Sequence, residues 1–267
     1  MTSNPWEQGD EGARWNGYLL DDRHTLRNLV GARTPEQLRR IEDDLVEARA
    51  LTLREHGLPT SYDLEGLRQV HRHLFQDVYA WAGDLRTVEI RKGAGWFARR
   101  KQIEPAMRQL AEHLRETSNL RSVSAREVPR DLAQVYNIVN HVHPFREGNG
   151  RTQREFITAL ARESGHRLDW TRVTRDRAGY ESENDQASRE ASEGHPTALY
   201  EMFARITIRA QDGELDAAAL EAVRLARTSR LRAAAYPGAA LPSAGSRADA
   251  AAAHAPSTSV PAQDYER

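Results

Sequence analysis

Residues 143–154, HPFREGNGRTQR, are the part of this chain best suited to chemistry. Their Gly-Asn-Gly turn leads directly into a sequence typical of a helix, residues 151–164. The first backbone N–H groups of a helix and its positive dipole end bind anions, and glycines let phosphate oxygens approach the backbone closely. Two arginines three residues apart add guanidinium groups on one face of that helix. The segment therefore predicts a polyphosphate site formed by Gly148, Asn149, Gly150, Arg151 and Arg154.

The same segment supplies a base and a metal ligand beside the predicted phosphate site. Pro144 disfavours helical backbone in the residue before it, so the preceding helix should end near Val142. The His143 imidazole then lies at a helix–loop junction, where it can accept a proton at neutral pH. Glu147 offers a hard oxygen ligand for a Mg²⁺ ion that keeps most of its waters and phosphate oxygens. The residues alone leave nucleotidyl and phosphoryl transfer both open, with His143 activating a hydroxyl nucleophile.

The segment resembles the signature of the Fic (filamentation induced by cyclic AMP) family, H-x-F-x-[D/E]-G-N-G-R-x-x-R, with every specified position present. The upstream sequence HRHLFQDVYAWAG, residues 71–83, and the Arg-Thr-Val at 86–88 also resemble this family. The resemblance covers residues 15–210. It implies an all-α Fic fold, a helical bundle in which a short β-hairpin, the flap, covers the active site.

The resemblance also implies an activity and a role for each motif residue. Members of the family transfer AMP from ATP to a hydroxyl side chain of a target protein and release pyrophosphate. By position, His143 resembles the general base and Glu147 the Mg²⁺ ligand. Residues 148–150 resemble the anion hole. Arg151 and Arg154 resemble the arginines that hold the distal phosphates, with Arg154 at the γ-phosphate.

Position 150 distinguishes branches of the family. The Doc-type branch, whose chemistry resembles that of a kinase, has lysine at the position of Gly150 and binds the nucleotide in reversed orientation. Branches that transfer phosphocholine also depart from Gly-Asn-Gly. Because Gly150 is present here, the resemblance favours AMP transfer over phosphoryl transfer.

The flap is predicted over residues 86–99, where the apolar spacing changes from that of a helix to that of a hairpin. Lys92 and Gly93 lie where this hairpin would cover the nucleotide, so they are candidate ATP contacts. Trp96 and Phe97 are expected to pack at its base. An exposed hairpin edge can pair with an extended segment of the target by β-augmentation and so fix the position of one hydroxyl.

Regulation is expected to come from a second protein. Many Fic proteins are inhibited by a helix with the pattern [S/T]-x-x-x-E-[G/N], whose glutamate pairs with the arginine that Arg154 resembles. Residues 61–66, SYDLEG, match this pattern, but they begin the helix that resembles the start of the Fic core. Ser61 also fits as a plain helix N-cap. The expectation is therefore inhibition in trans by a small antitoxin whose glutamate reaches Arg154.

A chain regulated in this way would be a bacterial toxin, and related toxins point to type II topoisomerases as its target. Two alternatives remain open, a translocated Fic effector and a catalytically silent Fic-fold binding module. Loss of His143, Glu147 or an arginine would mark a silent module, and none is lost.

The composition fits a cytoplasmic enzyme. The 267 residues include no cysteine, which excludes a disulfide framework and a cysteine zinc site. A net charge of −1 gives no case for direct nucleic-acid binding, and the apolar runs are too short for a membrane span. His141 and His143 do not share a helix face, so a histidine metal site is not expected. His71, His73 and His113 are expected at the surface or the edge of the core.

Four segments are predicted along the chain. Residues 1–16 are predicted to be poorly ordered, and 17–210 to form the Fic domain with its core at about 61–165. A C-terminal helix is predicted at 211–236 and a disordered Ala/Pro/Ser-rich tail at 237–267. Cap signals and apolar spacing predict helices at 35–56, 64–79, 105–118, 129–142, 151–164, 174–192 and 196–210.

Overall fold

A computed structural model describes residues 4–53, 55–92, 95–173 and 182–209 of the chain. All of these residues belong to one compact unit, 1–214. The predicted C-terminal helix 211–236 and the predicted tail 237–267 lie outside the described residues. The first eight residues of the helix predicted from 174 also lie outside them.

α-Helices dominate the described residues. In chain order the elements are α1 (Glu11–Gly17), α2 (Pro35–Thr52), α3 (Leu64–Phe75), β1 (Arg91–Lys92), β2 (Gly95–Trp96), α4 (Arg100–Glu116), α5 (Val128–Val142), α6 (Asn149–Glu163), β3 (His166–Leu168), α7 (Glu183–Ser192), α8 (Thr197–Ile206) and β4 (Thr207–Arg209). Strand β1 pairs antiparallel with β2, and β3 pairs antiparallel with β4. These elements confirm the predicted all-α class with a short hairpin. Within the described ranges, no helix has the length and apolar character needed to cross a bilayer.

Helices α3, α5 and α6 form the centre of the core because each carries apolar residues at three- and four-residue spacing on one face. Helix α6 packs against both α3 and α5. The buried side chains include Leu67, Val70 and Leu74 of α3, Leu132, Val135 and Val139 of α5, and Phe156, Ile157 and Leu160 of α6. Each such burial is worth about 1.5–3 kcal/mol. Ile138, also on α5, is 38% exposed.

The predicted disorder of residues 1–16 is not what the structure shows for the described part of that segment. A short 3-10 helix, Pro5–Glu7, and α1 occupy it. Trp6 is buried and stacks on Tyr18, with ring centroids 5.8 Å apart. The Thr87 hydroxyl donates to the Trp6 carbonyl. Because this partner lies about 80 residues away along the chain, the local sequence gives no sign of the contact.

The start of α4 differs from the prediction for an identifiable reason. The sequence predicts Pro105 as the first helical residue, whereas the helix begins at Arg100 and contains the proline. The backbone N–H of Arg99 donates to Gln102 Oε1 at 2.9 Å, which is a capping-box contact. The cap therefore fixes the helix start, and the proline is accommodated in the second turn. Helix α3 ends at Phe75, four residues before the predicted end at Tyr79.

The sheet of β3 and β4 is absent from the prediction. Its register pairs His166 with Arg209, Arg167 with Ile208 and Leu168 with Thr207. Each strand has only three residues, which is too short for an alternating apolar pattern to be recognised.

Candidate active site

His143 ends α5 in a left-handed conformation, with φ 46° and ψ 63°. Its backbone N–H still donates to the Val139 carbonyl at 3.0 Å. The ring Nδ1–H donates to the Asn140 carbonyl at 3.1 Å, which in the neutral imidazole puts the proton-accepting lone pair on Nε2. The ring also stacks on Phe97, with centroids 3.7 Å apart and planes 10° from parallel. The structure thus fixes both the tautomer and the plane of this imidazole at the helix–loop junction.

The motif loop, residues 143–148, joins α5 to α6 and is closed by the side chain of Asn149. This amide accepts the Phe145 backbone N–H at 2.9 Å and donates to the Phe145 carbonyl at 2.8 Å. Asn149 is buried, and the Phe145 ring is buried beneath the loop. The predicted anion hole included Asn149, but its side chain holds the loop together. Asn149 can contribute to anion binding through its backbone N–H, in the first turn of α6.

The two glycines of the turn serve different purposes. Gly148 has φ +80°, and a Cβ there would lie 2.3 Å from the ring of Phe75. Gly150 is exposed, and a Cβ there would meet no atom within 4 Å. The fold therefore requires glycine at 148 but not at 150. Since no side chain caps the start of α6, the space beside Gly150 suits an approaching anion.

Glu147 lies half-buried beside this helix start. Its carboxylate accepts the Gly148 backbone N–H at 3.0 Å. Among the described residues, no cluster of three His, Cys, Asp or Glu could hold a metal ion. One carboxylate nevertheless fits Mg²⁺, which is commonly bound by one or two carboxylates together with waters and substrate phosphates.

Arg151 and Arg154 diverge, contrary to the expectation that both reach one ligand from the same face. Arg151 pairs with the buried carboxylate of Glu42 and, at 3.1 Å, with Asp43, both on α2. Arg154 instead lies over the ring of Trp170, 4.5 Å from its centroid. Arg151 is therefore engaged by two carboxylates, whereas Arg154 is held against an aromatic ring. The acidic partners of Arg151 are separated from it by about 110 residues of sequence, so helical spacing could not reveal them.

Glu42 is a charged group buried among these partners. The Tyr79 hydroxyl donates to its carboxylate, which Arg151 also contacts. Burial raises the pKa of Glu42, and the Arg151 charge opposes that shift. Removing Arg151 would therefore leave Glu42 buried without its cation.

His71 is a supporting residue that the sequence interpretation placed wrongly at the surface or core edge. It is fully buried, and its ring stacks on Phe145 with centroids 3.9 Å apart. Nδ1 accepts the Gly83 N–H at 2.7 Å, and Nε2–H donates to the Glu147 carbonyl at 3.0 Å. Burial lowers the pKa of His71 to about 3, so the ring is neutral. Its position one helical turn from Leu67 and Leu74 was the available signal, because it shares their apolar face.

The other two histidines agree with the prediction. His73 is largely buried, with its Nε2–H donating to the Arg49 carbonyl at 3.0 Å, but its ring packs on the exposed His56 ring, so it lies at the edge of the core. His113 is exposed, in agreement with the prediction.

The described part of the flap is attached to His143 at its base and exposes a side chain on strand β2. Its strands pair Arg91 with Trp96. Phe97 packs on the His143 ring as predicted for the flap base, but Trp96 is 59% exposed, so the prediction for Trp96 is wrong. The Ala98 N–H donates to the His141 carbonyl at 2.9 Å. Gly93 lies outside the described residues, and the ATP contacts predicted for Lys92 and Gly93 stay predictions.

The segment 61–66 does not have the contacts of an inhibitory helix. Glu65 pairs with Arg68 at 3.3 Å on the exposed side of α3. The helix N-cap is Asp63, which accepts the Gly66 N–H at 2.9 Å, so the prediction of Ser61 as N-cap is wrong. Gly66 is needed because a Cβ there would lie 1.7 Å from the Ser61 carbonyl oxygen. The match to the inhibitory pattern is therefore explained by local helix-start geometry.

Comparison with known proteins identifies relatives of this site. The sequence model described as the Fic/DOC family matches residues 61–161. The chain is 32% identical over 197 residues to "Probable protein adenylyltransferase Fic" of Escherichia coli (strain K12), covering 74% of this chain and 94% of that protein. It is 40% identical over 168 residues to "Protein adenylyltransferase VbhT" of Bartonella schoenbuchensis, covering 62% of this chain but only 35% of that protein.

A solved structure agrees with these relatives. The VirB-translocated effector protein BepC of Bartonella tribocorum, crystallised with bound AMPPNP, matches with a TM-score of 0.67 and 28% identity. The match covers 73% of this chain and 97% of that one. The chain thus spans about a third of the length of VbhT and almost all of the BepC chain.

Proposed function

Because the chain belongs to the Fic/DOC family, we propose that it is a protein adenylyltransferase, which transfers AMP from ATP to a hydroxyl side chain of a target protein. The observation that carries this proposal is the arrangement of the motif loop. His143 ends α5 with its Nε2 as proton acceptor, and six residues later the uncapped start of α6 offers an anion site. The relatives named protein adenylyltransferase support the same activity.

In the proposed reaction, His143 Nε2 accepts the proton of the target hydroxyl. The hydroxyl oxygen forms a bond to the α-phosphorus of ATP, and the bond from that phosphorus to the bridging oxygen of the β-phosphate breaks. Pyrophosphate leaves with the electron pair of the broken bond. The stack on Phe97 and the bond to the Asn140 carbonyl hold the imidazole in the required tautomer and orientation.

The phosphates are assigned to the start of α6 and to the side chain that follows on that helix. The backbone N–H groups of Asn149 and Gly150 form the positive dipole end of the helix, while the Gly148 N–H donates to the Glu147 carboxylate beside it, and Arg154 supplies a guanidinium for the γ-phosphate. Glu147 would hold a Mg²⁺ ion that, when bound, neutralises charge on the phosphates. Bound AMPPNP in the BepC structure supports ATP as the nucleotide.

Gly150 supports AMP transfer rather than phosphoryl transfer. The Doc-type lysine would fit sterically at this position, because nothing lies within 4 Å of a Cβ there. The glycine is therefore not imposed by packing. It leaves the helix start accessible to phosphates in the orientation that resembles AMP-transferring members of the family.

The target protein is proposed to dock on the flap, residues 86–99. The two-residue strands leave backbone groups at the hairpin edge for an extended target segment, and Trp96 presents an exposed aromatic surface there. A subunit of a type II topoisomerase is the target expected from the resemblance to toxins of the family. Labelled proteins in a host lysate would reveal its size.

Inhibition is proposed to come in trans from a small antitoxin whose glutamate reaches Arg154. The Arg154 guanidinium lies over the Trp170 ring. Within residues 4–53, 55–92, 95–173 and 182–209, no carboxylate forms a salt bridge with it. The chain would then act as a toxin in the cytoplasm. Co-expression with the neighbouring small open reading frame should relieve growth arrest, and unchanged arrest would show that this idea is wrong.

A translocated effector is the second candidate, and one observation favours it. The structurally similar BepC is named as a VirB-translocated effector. A fusion of the full chain to a translocation reporter tests this candidate. Reporter signal in recipient cells that depends on a VirB system would support the effector, and its absence would leave the toxin as the function.

The proposed activity is tested with ATP labelled on either the α- or the γ-phosphate. The purified chain and its His143→Ala variant are incubated with Mg²⁺ and host lysate. Protein labelling from α-labelled ATP alone, lost in the variant, is the expected result. Labelling from γ-labelled ATP would indicate kinase-like chemistry despite Gly150. Nucleotide binding without any labelling would indicate a silent binding module.

A further inference from the structure

Arg86 is a buried arginine whose five N–H donors all have partners. It is 3% exposed, and it lies upstream of the flap strands. Its donors reach four backbone carbonyls and one carboxylate. Nε donates to the His143 carbonyl at 2.9 Å. Nη1 donates to the Val88 carbonyl at 2.8 Å and to Glu89 Oε2 at 3.1 Å. Nη2 donates to the Ala98 carbonyl and, at 3.4 Å, to the Val142 carbonyl. Because all five of its N–H donors are engaged, the Arg86 side chain is held in one position.

The acceptors come from the two parts of the site that have to be aligned. Val142 and His143 are the last residue and the C-cap of α5, where a positive charge also complements the helix dipole. Val88 and Ala98 lie on either side of the hairpin strands. One guanidinium therefore joins both ends of the flap to the helix end that carries the proposed base.

Backbone hydrogen bonds and a ring stack also attach the base of the flap to the end of α5 and the residue that follows it. The Arg86 backbone N–H donates to the Pro144 carbonyl at 2.9 Å, and the Ala98 N–H donates to the His141 carbonyl at 2.9 Å. Phe97 lies between these ties and stacks on the His143 ring. Movement of the flap base would therefore move the surface on which the imidazole rests.

We propose that Arg86 is a positioning residue that fixes the flap over His143, so that a target segment docked on the flap presents its hydroxyl to Nε2. This inference rests on the proposed adenylyltransferase function. Arg86 would not touch the nucleotide or the target. Its contribution is to set the distance between the docking edge and the base, where a misplacement of about 1 Å can cost about 100-fold in rate.

Lysine should not replace Arg86, although it preserves the charge. An ammonium has three donors on a single atom and cannot reach acceptors on both sides of the hairpin at once. Arg86→Lys is therefore the informative variant. Arg49→Lys is the matched control, because Arg49 also uses two of its nitrogens on a partner, Asp77, but lies on α2 outside the site.

The kinetic test separates target positioning from nucleotide binding. Arg86→Lys should lower kcat for AMP transfer by about 100-fold and raise the KM for the target, while the Kd for a non-hydrolysable ATP analogue stays unchanged. Arg49→Lys should behave like wild type. Equal kinetics for Arg86→Lys and Arg49→Lys would overturn the proposal, and so would a loss confined to nucleotide affinity.

Two measurements that need no activity keep the inference separate from the proposed function. Hydrogen exchange at the Phe97 and Ala98 amides should become at least about tenfold faster in Arg86→Lys, with α3 amides unchanged. The His143 ¹⁵N shifts should report loss of the single Nδ1–H tautomer. If wild type transfers no AMP, the function fails while these signals still test Arg86. Unchanged flap exchange and an unchanged tautomer would overturn the proposal.

A milder variant covers the case in which Arg86→Lys does not fold. Glu89→Gln removes the carboxylate that pairs with Arg86 in the described part of the chain and leaves its four carbonyl acceptors. This variant should accelerate hydrogen exchange at the Phe97 and Ala98 amides and lower kcat, each to a smaller extent than Arg86→Lys does. Wild-type exchange and kinetics in a folded Glu89→Gln protein would contradict the assigned role.

Discussion

The motif loop and the flap meet at His143 but are held in different ways. The motif loop is fixed from below by packed groups, with the Phe145 ring on His71 and the Asn149 amide closing the backbone. The flap has strands of two residues; among its described residues, Phe97 and Ala98 contact the end of α5, whereas Trp96 is 59% exposed. One half of the site is built into the core, and the other half lies at the surface.

This difference indicates which part of the site should contribute to nucleotide binding and which part to target binding. A preformed loop can position phosphates without reorganisation when the nucleotide binds. An open hairpin edge gains its missing hydrogen bonds from whatever segment docks on it. Changes in the motif loop should therefore affect folding and chemistry together, whereas changes at the flap tip should affect target recognition alone.

The largest effect is expected from a methyl group at Gly148. Gly148→Ala would put a Cβ 2.3 Å from the Phe75 ring at φ +80°, so unfolding free energy should fall by about 2–5 kcal/mol and transfer should be lost. Gly150→Ala is the control, because its Cβ meets nothing within 4 Å. It should keep wild-type stability and lose at least about tenfold in transfer. Urea unfolding and rate measurements check both, and equal stabilities for the two variants would contradict the comparison.

The buried His71 should make the stability of the motif loop depend on pH. Its pKa is lowered from 6.5 to about 3, so the unfolded state binds a proton that the folded state excludes. The stability that neutral His71 contributes is complete above pH 6.5 and declines as the pH falls toward 3. Over this range the free energy of unfolding should decrease by about 1.4 kcal/mol per pH unit. His71→Gln should be less stable at neutral pH by about 1–3 kcal/mol and should lack this slope.

Urea unfolding of both proteins at neutral and mildly acid pH measures the slope. A His71→Gln protein that loses stability as steeply as wild type would show that another group is responsible.

The two arginines of α6 should respond differently to truncation. Arg154→Ala should raise the KM for ATP by about 10- to 100-fold, the value of a charge-assisted hydrogen bond, with little change in stability. Arg151→Ala should instead lower stability by about 1–3 kcal/mol, because it leaves Glu42 buried without its cation. Initial rates over a range of ATP concentrations, with unfolding curves, distinguish them. A raised KM for ATP in Arg151→Ala together with a lowered stability in Arg154→Ala would instead indicate that Arg151 binds the phosphate.

The smallest effect is expected at the tip of the flap. Trp96→Ala removes an exposed side chain, so stability should change by no more than about 0.5 kcal/mol. The KM for the target should rise several-fold while the KM for ATP stays constant. Steady-state kinetics with purified target and unlabelled ATP provide the check. An altered ATP KM would mean that Trp96 belongs to the nucleotide site.

Features coded by nearby residues could be predicted from the sequence. The end of α5 at Val142 follows from Pro144, and the start of α6 directly after the motif loop follows from the Gly-Asn-Gly turn. The apolar spacing also identified the buried faces of α3, α5 and α6. In each case the determining residues lie within one or two helical turns of the feature that they specify.

Features that depend on distant partners could not be predicted in this way. The pairing of Arg151 with Glu42, the attachment of Trp6 to Thr87 and the sheet of β3 with β4 all join segments that are far apart in the sequence. His71 and Arg86 are of the same kind, since their polar groups are satisfied by loops that approach only in the folded chain. For His71 its place on the buried face of α3 was the available signal, and a surface or core-edge position was the wrong interpretation.

His143 is proposed to direct AMP, and not phosphate, onto a target hydroxyl. Mass spectrometry of one isolated target, after incubation with ATP and either wild type or His143→Ala, identifies the group that is transferred. We expect an AMP adduct on a Ser, Thr or Tyr hydroxyl with wild type and none with the variant. A phosphate adduct, or equal AMP adducts from both proteins, would contradict it.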